Sequence, residues 1–345
     1  TTDILGLTRA TPSDPGAYEY TAPPCTAPPT PGTSVLSPSG STCPGVAATL
    51  TLSGNSLGSG QTYVWEYSST IGGTYTALSG TLTSPTYNFN APVSSYYYRC
   101  AVTCSGNTQY STPVLSTVLP TVSGTYTINQ TLATGGTNFH SFTDAVTALT
   151  AGTCGIGGPV VVNVVAGTGP YNEQINVPAI IGTNATNTIT INGNGNTISF
   201  DATSSTYYAT VNLAGADYLI FNDLNIVSTG AANAWGLHFM SGSDNNVFNN
   251  CTVTVPMVNT VTTTQAVVMN ASNTVYSTGG SGGNNNTFNG CTFTGGYYGV
   301  VFYGASGAGN TGNVFDGCSF KESYAYSHYN LYTSGGIIRN CIFER

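Results

Sequence analysis

The stretch "NNTFNGCTFTG" at 285–295 decides how this chain is read, because close copies of it recur along the sequence. "NNVFNNCTVTV" stands at 245–255, "GNVFDGCSFKE" at 312–322 and "GGIIRNCIFER" at 335–345. Aligned on the residue two before the cysteine, the phrases give a column of Asn249, Asn289, Asp316 and Arg339. Upstream, "ITINGNG" and "LIFNDLNI" extend it to Asn192 and Asn222, at intervals of 30, 27, 40, 27 and 23 residues. A ragged period of this size around one constant short strand marks a solenoid, in which loops vary and each coil packs only on its neighbours. A parallel β-helix answers the pattern, each strand lying about 4.8 Å from the same strand of the preceding coil.

The columns then take on physical roles. Ile191, Phe221, Phe248, Phe288, Phe315 and Ile338 alternate inward and are expected to stack on themselves. The column Asn192, Asn222, Asn249, Asn289 and Asp316 is expected where the chain turns, since Asn tolerates left-handed backbone and its amide can bond the next coil. It reads as a structural ladder that Arg339 ends. Cys251, Cys291, Cys318 and Cys341 continue a position held by Leu224 one coil earlier, where a small buried apolar group fits and a free thiol serves. A tetrahedral metal site needs converging ligands, which one cysteine per coil does not supply. Disulfides up the column conflict with parallel Cβ vectors. Cys154 stands alone and reads as structural.

Composition narrows the function. Charged residues make up 5% of the 345, against about 25% in ordinary soluble proteins. Thirteen acids and five bases give a net charge of −8. No Lys/Arg cluster exists, which argues against nucleic acid or anionic membranes as partners. No apolar run reaches the roughly 18 residues of a membrane-spanning helix. The low charge suits a secreted, cell-surface or extracellular protein. The opening "TTDILGLTRATP" reads as the inside of a longer chain.

Along the chain, 1–20 ends in "DPGAYEY" and carries no domain-sized pattern, and 21–33 is a stiff Pro-rich linker. From 25 to 121, short period-2 strands such as "ATLTLSG", "TYVWEYSS" and "SYYYRCAVTCSG" alternate with Gly/Ser/Pro turns, which predicts an all-β sandwich. From 124 to 345 the β-helix follows. "HSFTDAVTALTAG" predicts a helix over 141–151 with Phe142, Val146 and Leu149 on one face and Ser141 or Thr143 as cap. Placed just before the first coil, it is expected to cap the open end of the solenoid.

The order Cys43, Trp65, then Tyr98-Arg99-Cys100 resembles an immunoglobulin-type sandwich, although the Cys43–Trp65 gap is long. Four cysteines allow three pairings. The resemblance implies Cys43 beside Cys100 and Cys25 beside Cys104. "FHSFTDAVTALTAG" through "ITINGNG" resembles the opening of pectinesterase- and pectate-lyase-like right-handed β-helix proteins, including a "G-x-Y-x-E" element that contains Glu173. The whole chain resembles the long repetitive cell-surface proteins of Bacteroidetes, in which such β-helices alternate with immunoglobulin-like domains; the matching residues are "CPGVAATLTL" and "YYYRCAVTC". In that group a β-helix often closes with a phrase like "DILGLTRATPSDPGAYEY", which stands here at 3–20. The resemblance implies that 1–20 closes a preceding β-helix and that units join end to end. Asp3, Arg9, Tyr18, Tyr20, Arg339 and Arg345 are then the assembly residues, and copies of the chain or neighbouring repeats are its partners.

Three functions compete. The expectation is a structural repeat unit of a surface adhesin or extracellular filament. Carbohydrate binding comes second, through Trp235, Tyr297, Tyr298, Tyr303, Tyr326 and Tyr329, whose rings can stack on sugars or on each other. A polysaccharide lyase or esterase comes third, because no acid–acid–Arg cluster is visible and fold alone does not carry function. No catalytic residue, cofactor or metal ligand is assigned. Asp217 and Asp244 are the one weak pairing for a loop calcium, and corner turns explain them as well.

Overall fold

The computed structural model describes residues 23–202, 206–257, 261–307 and 309–344. The expected closing segment 1–20, with Asp3, Arg9, Tyr18 and Tyr20, and the expected assembly residue Arg345 lie outside the described residues. The chain divides into two compact units, Thr1–Pro120 and Thr121–Arg345. Apart from one short helix the described residues are all-β, an antiparallel sandwich followed by a parallel β-helix.

In the first unit, Thr33–Ser37, Ala47–Ser53 and Tyr87–Asn90 form one antiparallel sheet. The second runs Ser41–Thr42, Val114–Val118, Tyr96–Cys104, Thr62–Ser68, Thr76–Ala77, with Asn107–Tyr110 folded back on Tyr96–Cys104. Alternation sends Ala48 and Leu50 from one sheet, and Tyr63, Trp65, Tyr98, Cys100 and Val102 from the other, into a shared core. Trp65 is fully buried, and its Nε1 donates to the Pro85 carbonyl at 2.9 Å, so its one polar atom is satisfied.

A disulfide joins Cys25 to Cys104. The expected Cys43–Cys100 bridge is overturned: Cys100 is a free, buried thiol beside Trp65, and burial pushes it up to about 12. Cys43 falls in the turn ahead of Ala47–Ser53, and the inward places opposite Cys100 belong to Ala48 and Leu50. Cys43 is nonetheless disulfide-bonded, and so is Cys154, which corrects the reading of Cys154 as a lone thiol.

Among its described residues the second unit stacks three long parallel sheets, with a two-stranded one pairing Asn310–Thr311 and Thr333–Ser334. Sheet I has nine strands, from Asn138–Phe139 and Val122–Ile128 down to Val314–Asp316 and Ile337–Arg339. Sheet II has seven, from Tyr171–Asn172 to Ile342–Glu344, and sheet III six, from Ile175–Pro178 to Tyr326–Leu331. One register line in sheet I runs Val162, Ile191, Phe221, Phe248, Phe288, Phe315, Ile338. Its rings stack at 4.8 Å (Phe221–Phe248), 5.2 Å (Phe248–Phe288) and 4.6 Å (Phe288–Phe315). Sheet II repeats the device with Phe293, Phe320 and Phe343.

The helix, α1, spans Phe142–Thr150 with Ser141 as N-cap, its side chain accepting from the Asp144 N–H. Phe142, Ala145 and Leu149 pack into the solenoid core with Ile128 and Ile175, so the helix closes that end. Val146, expected on the same face, is only partly buried there.

The repeated phrase encodes two corners. Left-handed backbone falls at Asn245, Asn285, Gly312 and Gly335 before each sheet I strand, and at Asn250, Gly290, Gly317 and Asn340 after it. This moves the expected turn by one residue. The ladder residues Asn249 and Asn289 sit at the end of the strand, and the next residue turns the chain. Asn and Gly occupy the corners because they enter the left-handed region at least cost.

Candidate functional site

The side chains that sequence reading singles out fall into polar and sulfur columns running along the coils. Asn192 donates from Nδ2 to Asn163 Oδ1 at 2.8 Å, Asn222 to Asn192 at 2.8 Å, Asn249 to Asn222 at 2.8 Å and Asn289 to Asn249 at 2.9 Å. Asn163 therefore heads the ladder, which sequence reading missed. Asp316 keeps the register but not the bonding, because a carboxylate only accepts. It takes Asn340 Nδ2 at 2.8 Å and Arg339 Nε at 2.9 Å, which hold its carboxyl below the usual range. Asp316 is thus corrected from amide rung to ion-pair partner, and Arg339 is committed to it within the last coil.

A second asparagine column is deeper. Asn246, Asn286 and Asn313 are almost fully buried. The Oδ1 atoms of Asn246, Asn286 and Asn313 accept the backbone N–H of Leu219, Asn246 and Asn286, each at 2.9 Å. Their amides donate to the carbonyls of Ala216 (2.9 Å), Ser243 (2.9 Å) and Gly283 (3.1 Å). The signal was in the quoted phrases: an Asn stands two before the phenylalanine in three of the four, and Gly336 replaces it in the last.

The acids weighed for catalysis or calcium carry structural bonds. Both Glu173 oxygens receive the first backbone N–H groups of α1, Phe142 to Oε1 and Thr143 to Oε2, each at 2.9 Å. The position also favours negative charge at the helix start. Asp217 Oδ1 accepts the Asp244 N–H at 2.7 Å, and Asp244 Oδ1 accepts the Asn284 N–H at 2.7 Å. Burial raises the Asp217 carboxyl against that N–H, which lowers it. Among the described residues no group of three or more His, Cys, Asp or Glu side chains is placed to hold a metal ion.

Cys251, Cys291 and Cys318 are buried free thiols, and Cys341 is a half-buried one. Each Sγ points at a carbonyl of the preceding coil: Phe221 at 3.5 Å, Phe248 at 3.3 Å, Phe288 at 3.3 Å and Phe315 at 3.6 Å. Contact with the thiols of Cys251 and Cys318 on either side, together with burial, pushes the Cys291 thiol far up.

The aromatic candidates divide. Trp235 is fully buried and so cannot meet a sugar from solution, which corrects its place among contact residues. Sheet III is buried on both faces there, because the loop after Thr264–Met269 folds over its outside: Tyr208 N–H bonds the Asn273 carbonyl, and Tyr276 packs on Tyr298. His238, beside Trp235, donates Nε2–H to Asn270 Oδ1 at 2.9 Å, and burial lowers it to about 4. Tyr298 stacks on Tyr326 at 6.0 Å and on Tyr329 at 5.3 Å, Tyr303 on Tyr329 at 6.3 Å, and Tyr297 meets Tyr298 edge-on at 4.8 Å. Most of their ring faces are thus turned on each other. Tyr326, 59% exposed, is the most open of the set.

The disulfides point to an oxidising environment. Among the described residues no helix is long and apolar enough to cross a membrane. No curated protein and no solved structure matches the chain. Residues 32–120, within the sandwich unit, match a family model described as a domain of unknown function (DUF8696).

Proposed function

We propose that this chain is a structural repeat unit of a secreted surface adhesin or extracellular filament of the Bacteroidetes type, joined end to end through the last coil of the β-helix and residues 1–20. The observation that carries the reading is the repetition of one coil, in which the register line Ile191, Phe221, Phe248, Phe288 and Phe315 passes from strand to strand without a change of design. A stack of this kind extends by adding like layers, from a neighbouring repeat or from a second copy of the chain. The sandwich is read as immunoglobulin-like from its buried Trp65 and two-sheet packing, with Cys100 unbridged. The acids support a scaffold, since Glu173, Asp217, Asp244 and Asp316 are engaged in the backbone and ion-pair bonds described above.

Imaging the chain by electron microscopy, with and without residues 1–20, tests this. End-to-end particles that vanish on deletion while the sandwich stays folded are expected; unchanged assembly of the deleted chain overturns it. Incubation with pectin-like polymers, with and without calcium, is expected to give no cleavage, and turnover lost on replacing Asp217 or Asp244 sinks the scaffold reading. Carbohydrate binding is the second reading, favoured by exposed Tyr324, Tyr326 and Tyr332. Retardation in polysaccharide-containing gels that Tyr326→Ala removes would favour it over the first.

A further inference from the structure

The four free thiols of the solenoid belong to a chain whose other cysteines, apart from Cys100, are disulfide-bonded. Their geometry explains why they stay apart. They recur once per coil, and the coils are locked by backbone bonds at the same place: Thr292 N–H to Cys251 O at 3.0 Å, Ser319 to Cys291 at 2.9 Å and Ile342 to Cys318 at 2.8 Å. In-register parallel strands hold successive side chains about 4.8 Å apart with parallel Cβ vectors. A disulfide needs its Cβ atoms at roughly 3.8 Å, so the coils would have to be pulled together.

The same spacing suits a different bond. A thiolate–metal distance is about 2.3 Å, as at zinc, so two such bonds in line span about 4.6 Å. That is within a few tenths of an ångström of the coil repeat. A straight column offers two sulfurs at a time from opposite sides, which excludes tetrahedral ions and suits soft ions content with two ligands. Soft sulfur ligands select Cu(I), zinc and iron–sulfur clusters, and the last two need four ligands, which leaves Cu(I) for a two-sulfur site.

We propose that the cysteine column is a linear two-coordinate site for a soft monovalent cation of the Cu(I) class, filled between Cys251 and Cys291 and between Cys318 and Cys341. Each ion takes one thiolate and one thiol. One S–H bond breaks, one proton leaves to solvent, and two sulfur–metal contacts form, so no oxidant or reductant is needed. The filled step is electrically neutral, which a buried apolar column requires. The thiol hydrogen bond to the carbonyl of the preceding coil is given up at the deprotonated sulfur.

The test compares variants of equal thiol number. Under anaerobic conditions the full chain, its disulfides intact and its five free cysteines unoxidised, is loaded with Cu(I) alone, passed through a chelator that strips loosely held copper, and assayed for retained metal. The unmodified chain should keep about two ions, with two sulfur neighbours each by X-ray absorption. Cys251→Ala with Cys291→Ala leaves one adjacent pair and should retain about half the copper. Cys291→Ala with Cys341→Ala leaves the same number of thiols but none adjacent, and should retain none. Cys100→Ala should change nothing. If a double variant fails to fold by circular dichroism, single Cys291→Ala, which keeps the Cys318–Cys341 pair, should halve retention. No retained copper, equal retention by the two double variants, or three or more sulfur neighbours overturns the proposal.

Discussion

The sandwich and the solenoid solve the same problem, a core built from short strands, by opposite means. In the sandwich each stabilising contact is made once and reaches far along the chain. The Cys25–Cys104 bond spans 79 residues, Trp65 reaches Pro85, and Arg99 pairs with Glu66 at 2.8 Å between the rings of Tyr75 and Tyr110. In the solenoid a few kinds of contact recur from coil to coil, most of them to the adjacent coil. A defect in the first should therefore be felt throughout its unit, and a defect in the second should stay within a coil or two. The difference teaches that stability here is pooled in one unit and distributed in the other.

The largest test of that contrast is Phe288→Ala, which removes a ring packed against Phe248 and Phe315. The expected cost is about 3–5 kcal/mol, confined to the solenoid. Calorimetry should show one transition fall while the sandwich transition stays; if both fall together, the contrast is broken. Next, Cys25→Ala with Cys104→Ala should cost the sandwich about 2–5 kcal/mol and leave the solenoid melt in place. In the unmodified chain, thiol counting under denaturing, non-reducing conditions should find the five free cysteines, Cys100 among them.

Acid should separate the units further. All three histidines lie beyond residue 120. Burial holds His238 and His328 down to about 4. Unfolded histidine titrates near 6.5, so between those values the unfolded chain binds more protons than the native one. The solenoid is unaffected above pH 6.5 and loses stability as pH falls from there toward 4, by up to about 3 kcal/mol for His238. Urea melts at pH 7 and pH 4.5 should show the solenoid weakening more than the sandwich, and His238→Gln should shrink the gap. The smallest test compares the two asparagine columns. Asn286→Ala, at a buried site, should cost about 1–3 kcal/mol, and the half-buried Asn289→Ala about 1 kcal/mol. Equal losses would mean that the buried column is not the stronger of the two.

The solenoid was legible because its physics is periodic. Phe248, Phe288 and Phe315 sit at fixed places in a phrase that recurs, so one face could be read straight off. The buried Asn246, Asn286 and Asn313 are equally periodic, each two residues before a stacked phenylalanine, but a polar side chain in a phrase does not by itself declare that it is buried. What could not be read lies where local pattern carries no direction. "TQAVVM" at 264–269 is buried on every residue, so alternation cannot tell inside from outside, and neither the burial of Trp235 nor the loop that covers it leaves a periodic trace. Cys100 failed for another reason. A pairing depends on where a partner falls relative to its strand, and Cys43 stops short of the layer that Leu50 and Trp65 fill.

Every rung of both asparagine columns reaches backward. The strand-end amides of Asn222, Asn249 and Asn289 donate to the coil made before them, and Asn246, Asn286 and Asn313 answer N–H and C=O groups that the earlier coil already holds out. Each coil is thus a template with unmet groups, and its successor completes it. A chain that emerges N-terminus first, from a ribosome or through a secretion pore, finds the partners of these two columns in the coil already made. Each new turn locks onto a waiting surface and exposes the next one, so folding advances as a ratchet in the direction of synthesis.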